Sequence, residues 1–511
     1  MKTNILDYID QTQKQIENRI AVVEGDKEIL FKKLYRDVKV LGCLLHNKVS
    51  GIIRKPIAVY LDKSIEVIAS NIGIIYSGNA YMNLDTKTPI QRTNNILDLI
   101  QPALVITNNK YVERIDGIWD KSKILNIDLI NFEEEKYCQD TLDKVRDTII
   151  DTDPLCIINT SGSTGVPKGV VLNHRSFIDF TEWAIKATGI GKQEIVGSLS
   201  PIVFDIYSFE LCMLMALGSK IVIIPDAWAA FPVKILELLR DQTVNFIFWV
   251  PTIMVNIANM DLLSRIDLSS LKMIWFAGEV FPTKQFNYWR EKLTEAKFIN
   301  LYGPIEITLD CTYYIVEREL SDDEPIPIGY VCKNTDVLIL NDDNQICEVN
   351  EEGELCVRGS SLAMGYYNNP KQTSEAFVQN PLNNSYPEII YRTGDIAKVN
   401  ELGEIMFLGR KDTLIKHLGY RIELAEIEHI IINTLKLVKN GCAVYNYDTK
   451  EIVFYYESDK EIAVAEMRKN IGSALPRYMI PNVFRKLDEL PRNTNGKIDR
   501  LKLREMISDT N

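Results

Sequence analysis

The chain has 511 residues, and its 70 acidic side chains exceed its 58 Lys and Arg enough to give a formal charge of −12. Hydrophobic residues make up 46% and charged residues 25%, a globular composition that argues against disorder. The acidic balance also argues against a nucleic-acid-coating role, which needs surplus cations to displace counterions from phosphates.

At roughly 100–200 residues per domain, the length allows three or four folding units. The nine cysteines are scattered with no C-x-x-C pair. That pattern suits reduced thiols in a cytosol better than a disulfide framework or a zinc site. The first residues, MKTNILDYIDQTQ, hold no signal-type apolar run, and no stretch approaches 18 consecutive apolar residues. A soluble cytoplasmic protein with no membrane insertion and no nucleic-acid partner is expected.

In chain order, the runs 57–61, 103–106, 221–224 and 246–250 are short, apolar and rich in β-branched or aromatic residues, as in strands buried on both faces. Between them lie segments with helical spacing, such as Phe177, Phe180 and Ile185, or Val233, Leu236 and Leu239. Alternation of the two patterns predicts an α/β architecture. From about 325 to 409 the strands shorten (336–340, 354–357, 404–407) between Asn, Asp, Pro and Gly clusters, which predicts a small β-rich subdomain. Further on, Ile427, Ile430, Ile431 and Leu435 predict an amphipathic helix over 425–435. Strands at 441–445 and 452–457 and a helix near 463–475 complete a compact α+β tail. The expected domains are 1–411, a large unit of two sheets with helices that includes the β-rich part, and 412–511, a small mobile one.

The most informative segment is Thr160-Ser161-Gly162-Ser163-Thr164-Gly165-Val166-Pro167-Lys168-Gly169, between apolar runs at 155–158 and 170–172. Glycines let the backbone turn tightly and present N–H groups, while four hydroxyls and an ammonium add donors. Those are the requirements for wrapping a polyphosphate. No Gly-Lys-Ser/Thr closes the loop and no G-x-G-x-x-G is present, so it is neither a Walker A loop nor a dinucleotide fingerprint. By composition alone it would read as a flexible surface turn; the ordered Pro167-Lys168-Gly169 is more specific.

This segment resembles the signature of the superfamily of acyl- and aryl-CoA synthetases, peptide-synthetase adenylation domains and firefly luciferase. Further motifs follow in that superfamily's order: Phe204-Asp205, Asn300-Leu301-Tyr302-Gly303-Pro304-Ile305-Glu306, Gly353-Glu354-Leu355, Tyr391-Arg392-Thr393-Gly394-Asp395, Gly409-Arg410-Lys411-Asp412, Gly419-Tyr420-Arg421-Ile422-Glu423 and Asn495-Gly496-Lys497-Ile498-Asp499-Arg500. They cover nearly the whole chain. Within the superfamily the chain is similar to the amino-acid-activating branch, which includes free-standing enzymes such as D-alanine–carrier protein ligases.

The resemblance implies an ATP-dependent, AMP-forming ligase that makes an acyl-adenylate and then loads a thiol. Thr160, Ser161, Gly162, Ser163, Thr164, Gly165 and Lys168 would hold the β- and γ-phosphates, and Glu306 would bind Mg²⁺. Tyr302, with Leu301 and Gly303 beside it, would stack on adenine, and Asn300 would lie near the exocyclic amine. Asp395 would accept the ribose hydroxyls, assisted by Arg410, with Phe407 on the sugar and Lys416 also at the nucleotide. Lys497 would bridge the substrate carboxylate and the α-phosphate, a task for a mobile point charge. Alone, an Asn-Gly-Lys would be a polar turn; its flanking residues resemble those around the family's catalytic lysine. Asp412 would be the hinge for withdrawing it. One departure stands out: Ile305 replaces a threonine whose hydroxyl contacts the α-phosphate, so the nearby Thr308 is the candidate substitute.

Asp205 would bind an α-amino group, as in amino-acid-activating relatives; alone, it would read as a cap on a helix starting near Tyr207. The rest of the substrate pocket would comprise Ile206, Phe209, Trp249, Trp275, Ala277, Leu301, Leu309 and Asp310. Their bulk points to a small amino acid, with alanine, serine or glycine ahead of proline. The chain stops at Asn511, soon after Lys497, so a stand-alone enzyme serving a discrete phosphopantetheinyl carrier protein is expected. The alternatives are an acyl- or aryl-CoA ligase using free coenzyme A, and, because of Ile305, a non-catalytic nucleotide-binding homologue.

Overall fold

The structure, a computed structural model, describes residues 2–161, 167–192, 194–411, 414–458, 462–492 and 498–508. The chain divides into two compact units. The first comprises Met1–Asp85, Gln101–Ile158 and Gly169–Lys411, and the second Thr86–Ile100, Asn159–Lys168 and Asp412–Asn511.

Among the described residues the first unit is built on three sheets. A nine-stranded sheet runs Tyr330–Val331, Thr312–Ile315, Lys297–Tyr302, Met273–Phe276, Phe246–Trp249, Ile195–Ser198, Lys220–Ile223, Ile20–Glu24, Lys27–Leu30. Its centre is parallel, with Phe248 level with Trp275 and Trp275 level with Ile299. A six-stranded sheet has the order Ile124–Asn126, Leu104–Thr107, Pro56–Val59, Ala80–Asn83, Pro154–Thr160, Lys168–Asn173. The buried apolar runs of the sequence are these central strands, and the architecture is α/β as expected.

Period-two alternation decides which core each strand residue joins. Phe246, Phe248, Trp275, Ile299 and Leu301 enter one cluster with the helices His174–Thr188 and Asp205–Leu217, while Ile247, Trp249, Ile274 and Phe276 enter the other. Each such fully buried side chain contributes about 1.5–3 kcal/mol relative to exposure.

The third sheet is antiparallel: Thr335–Leu340, Gly353–Gly359, Ile389–Val399 and Phe377–Gln379, with Ile405–Arg410 also paired to Ile389–Val399. This is the β-rich region expected from the short strands and turn clusters.

The second unit holds a hairpin, Leu414–His417 with Tyr420–Glu423, and a sheet of Asn440–Asn446, Glu451–Glu457 and Val483–Lys486. The helix expected over 425–435 is α-helical only at Leu424–His429 and continues as a π-helix through Ile430–Thr434. Leu435 N–H donates to Ile430 O at 2.8 Å, a five-residue closure, and Ile427, Ile430 and Ile431 stay in the core. Among the described residues no helix is long and apolar enough to cross a membrane.

Candidate functional site

The segment Lys297–Tyr302 is a central strand, and immediately beyond it the chain folds back on itself. Cys311 N–H donates to Tyr302 O at 2.8 Å, closing the excursion. A Cβ on Gly303 would lie 2.2 Å from Leu309 O and 2.5 Å from Asp310 Cα, so only glycine allows this approach. Thr308 and Leu309 take positive φ values of 56° and 65°. Two such non-glycine residues in succession cost on the order of 1–3 kcal/mol each, a concentration of strain typical of functional loops.

Tyr302 and Asp395 meet where this strand faces the antiparallel sheet. The Tyr302 hydroxyl donates to Asp395 Oδ2, and Arg410 Nη1 donates to Asp395 Oδ1. Asp395 and Arg410 sit opposite each other on paired strands, which sets up that contact. Arg410 Nη2 also donates to Thr393 O at 2.9 Å, and the Thr393 hydroxyl donates to Leu355 O at 2.6 Å while accepting from Asp395 N–H at 3.0 Å. Both side chains of the pair are almost wholly buried. Burial, with the Asp395 carboxylate next in weight, pushes the Tyr302 phenol well above its ordinary range, so it stays a neutral donor. Phe407 lies beside it with ring centroids 6.0 Å apart, and Asn300 Nδ2 donates to Pro327 O at 2.8 Å.

Glu306 sits in a 3₁₀ turn, Ile305–Ile307, and is fully buried. Its Oε1 accepts from the Tyr366 hydroxyl at 2.8 Å, and its carbonyl accepts from Ala363 N–H at the same distance. A buried carboxylate held by a neutral hydroxyl is a hard oxygen donor suited to a cation that takes its other ligands from phosphates. Thr308 is also fully buried, and among the described residues its hydroxyl has no hydrogen-bond partner.

Asp205 opens the helix Asp205–Leu217. Phe204 is the cap position, so Asp205 is not the cap it would read as in isolation; it lies in the first turn with Oδ1 accepting Ile206 N–H at 3.0 Å. One turn on, Phe209 stacks on Trp275, and Phe248 is edge-on to both. Ile206, Phe209, Trp275, Ala277, Leu301 and Leu309 share one apolar cluster, and Asp310 is buried in the strained loop. Trp275 Nε1 has no partner among the described residues.

Trp249 does not join them. Strand alternation turns it to the opposite face of the sheet, where its indole N–H donates to Gly197 O at 2.9 Å, and Phe248 occupies the position expected of it. The Phe246–Trp249 alternation was the available signal. Tyr366 and Thr393 are also additions to the sequence reading. Thr393 lies inside a quoted motif, whereas nothing local to Tyr366 signals its contact with Glu306.

In the second unit, Thr160 ends the strand Pro154–Thr160, and the Ser161 hydroxyl donates to Arg421 O at 2.8 Å and accepts from Glu423 N–H at 3.0 Å. Lys168 Nζ donates to Glu423 Oε1 at 2.8 Å. Lys416 lies on the hairpin strand opposite Arg421. Gly162, Ser163, Thr164, Gly165, Asp412 and Lys497 lie outside the described residues.

A family profile described as AMP-binding enzyme matches residues 9–367. Zwittermicin A synthase ZmaJ of Bacillus cereus is 30% identical over 518 residues, covering 100% of this chain and 96% of that protein. Gramicidin S synthase 2 of Aneurinibacillus migulanus is 30% identical over 508 residues, covering 98% of this chain but 11% of that protein. Among solved structures, the Vibrio cholerae adenylation domain AlmE in complex with glycyl-adenosine-5′-phosphate has the same fold, with a TM-score of 0.86 at 19% identity over 100% of this chain and 98% of that one.

Proposed function

Because the chain belongs to the AMP-binding enzyme family, we propose that it uses ATP to turn a small amino acid into its aminoacyl-AMP, releasing pyrophosphate. It then passes the aminoacyl group to the phosphopantetheine thiol of a separate carrier protein. The observation that carries this reading is at the head of the helix Asp205–Leu217, where a carboxylate in the first turn is followed one turn on by Phe209 stacked on Trp275. The carboxylate is the counter-charge an α-ammonium needs. The rings fill space that a large side chain would require, so alanine, serine and glycine fit ahead of proline. The glycyl-adenylate bound to the Vibrio adenylation domain is in keeping with this reading.

In the proposed reaction a substrate carboxylate oxygen attacks the α-phosphorus of ATP, the bond from that phosphorus to the bridging oxygen breaks, and pyrophosphate leaves. Tyr302 and Asn300 would seat the adenine, and Asp395, oriented by Arg410 and Thr393, would accept the ribose hydroxyls in place of the Tyr302 hydroxyl. The loop from Thr160 to Gly165 and Lys168 would bind the outer phosphates, with Lys168 exchanging Glu423 for a phosphate oxygen. Glu306 would hold Mg²⁺, which supplies positive charge against the phosphate oxygens. Lys497 would draw the two anions together, and the unsatisfied Thr308 hydroxyl would supply the donor that Ile305 lacks. Asp412 would be the hinge that withdraws Lys497 before the thiol step.

The test is transfer. With ATP, Mg²⁺ and a small amino acid, a holo-carrier protein should gain the aminoacyl mass while free coenzyme A is used poorly. Efficient thioester formation on coenzyme A with an aryl or fatty acid would favour the CoA-ligase reading instead.

A further inference from the structure

Three consecutive residues, Tyr137, Cys138 and Gln139, lie on one face of the helix Phe31–Lys48. Lys39 Nζ donates to Gln139 Oε1 at 3.0 Å and sits over the Tyr137 ring, 5.3 Å from its centroid. One turn along the same face, Cys43 Sγ accepts from Cys138 N–H at 3.2 Å and lies 3.5 Å from Cys138 O. A sulfur in contact with both the nitrogen and the oxygen of one residue lies beside that residue's Cα. The Cys43 sulfur therefore packs directly against the main chain of Cys138, the kind of closeness that the short reach of a disulfide, roughly 4.4–6.8 Å between Cα atoms, requires.

We infer that Cys43 and Cys138 form a reversible disulfide, a modification site separate from the nucleotide and substrate residues. The two thiols differ in the way such a pair needs. Cys138 is exposed at the start of the helix Gln139–Thr148, and the Thr141 hydroxyl and N–H beside it hold its thiol below the ordinary range. Cys43 is buried, and burial pushes its thiol up. Cys138 is therefore the residue that meets an oxidant, and Cys43 the one that resolves it.

With hydrogen peroxide as the oxidant, the Cys138 thiolate attacks a peroxide oxygen. The S–O bond forms, the O–O bond breaks, and hydroxide leaves. The Cys43 sulfur then attacks the Cys138 sulfur: the S–S bond forms, the S–O bond breaks, and the departing hydroxide takes the Cys43 proton as water. Two electrons pass from the thiols to the peroxide, and a dithiol reductant reverses the change. The bond closes a loop between positions 95 residues apart, so the oxidised protein should resist denaturant better than the reduced protein.

The experiment treats the full chain with a small molar excess of hydrogen peroxide, quenches free thiols and maps peptides without reductant. The expected result is one cross-linked pair joining Cys43 and Cys138, lighter by two hydrogens and lost on adding dithiothreitol. Cys43→Ser should instead leave a sulfenic acid on Cys138 that reacts with dimedone, and Cys138→Ser should remove the cross-link while the protein stays folded by circular dichroism. Over-oxidation of Cys138 with no cross-link, pairing of Cys138 between molecules, or faster oxidation of any other cysteine would overturn the proposal.

Discussion

Phe209, on the helix that begins with Asp205, and Trp275, on the strand Met273–Phe276, lie ring on ring, 5.5 Å between centroids and 11° from parallel. If this stack is the wall of the side-chain pocket, Phe209→Ala should let larger amino acids in. The substitution costs about 3–5 kcal/mol of stability for a buried Phe, within the roughly 5–15 kcal/mol of a typical domain. The ratio of kcat/KM for leucine to that for the native substrate should rise by about 10-fold or more. An unchanged ratio in a folded variant would place the pocket elsewhere.

Asp395 is held by Tyr302 and Arg410 on its two oxygens. Asp395→Asn removes a charged acceptor from the ribose and should raise the KM for ATP by about 10–100-fold. Tyr302→Phe keeps the ring for adenine and deletes only a hydroxyl that competes for Oδ2, so its KM for ATP should be unchanged or lower. Equal losses in the two variants, read from steady-state titrations, would contradict the assignment of Asp395 to the ribose.

Tyr366 donates to Glu306 across 60 residues of sequence. Tyr366→Phe should raise the Mg²⁺ concentration for half-maximal pyrophosphate exchange by about 10–100-fold, the usual effect of losing a group that orients a metal ligand. The KM for the amino acid should barely move. A fall in rate with the same Mg²⁺ dependence would show that the hydroxyl supports packing only.

His174 is buried, its Nδ1 accepts Ile5 N–H at 3.3 Å, and burial lowers its pKa from 6.5 to about 4 against the opposing pull of Asp153 and Asp151. The folded state therefore binds fewer protons than the unfolded one. The associated stability is complete above about pH 6.5 and declines as the pH falls toward about 4, by up to about 3 kcal/mol in total. Urea unfolding at pH 7.5 and pH 5 should show about 2 kcal/mol of that loss in the native chain and a smaller one in His174→Asn. Equal pH dependence in both would assign the effect to other groups.

Much of this molecule is legible in the chain because its signals are local. Short apolar runs of β-branched and aromatic residues such as Phe246–Trp249 suit a parallel sheet covered on both faces, and the Asn, Asp and Gly clusters after 325 mark short antiparallel strands. The Asp395–Arg410 pair is legible too, since both residues stand in motifs and the structure brings them together across paired strands. What escapes is set by the third dimension. Trp249 reads as a pocket residue until alternation turns it to the far face, in favour of Phe248. The Tyr366–Glu306 bond joins segments with no shared pattern. Asp205, which alone would read as a cap for a helix from about Tyr207, is the first residue of a helix that starts two residues earlier.

The most direct measurement is ATP–pyrophosphate exchange against a panel of L- and D-amino acids and simple carboxylic acids, for the native chain, Asp205→Ala and Lys497→Ala. Exchange should be driven by one or a few small amino acids, sharply reduced in Asp205→Ala and nearly abolished in Lys497→Ala. Exchange supported only by acids without an α-amino group, or undiminished in Lys497→Ala, would contradict it.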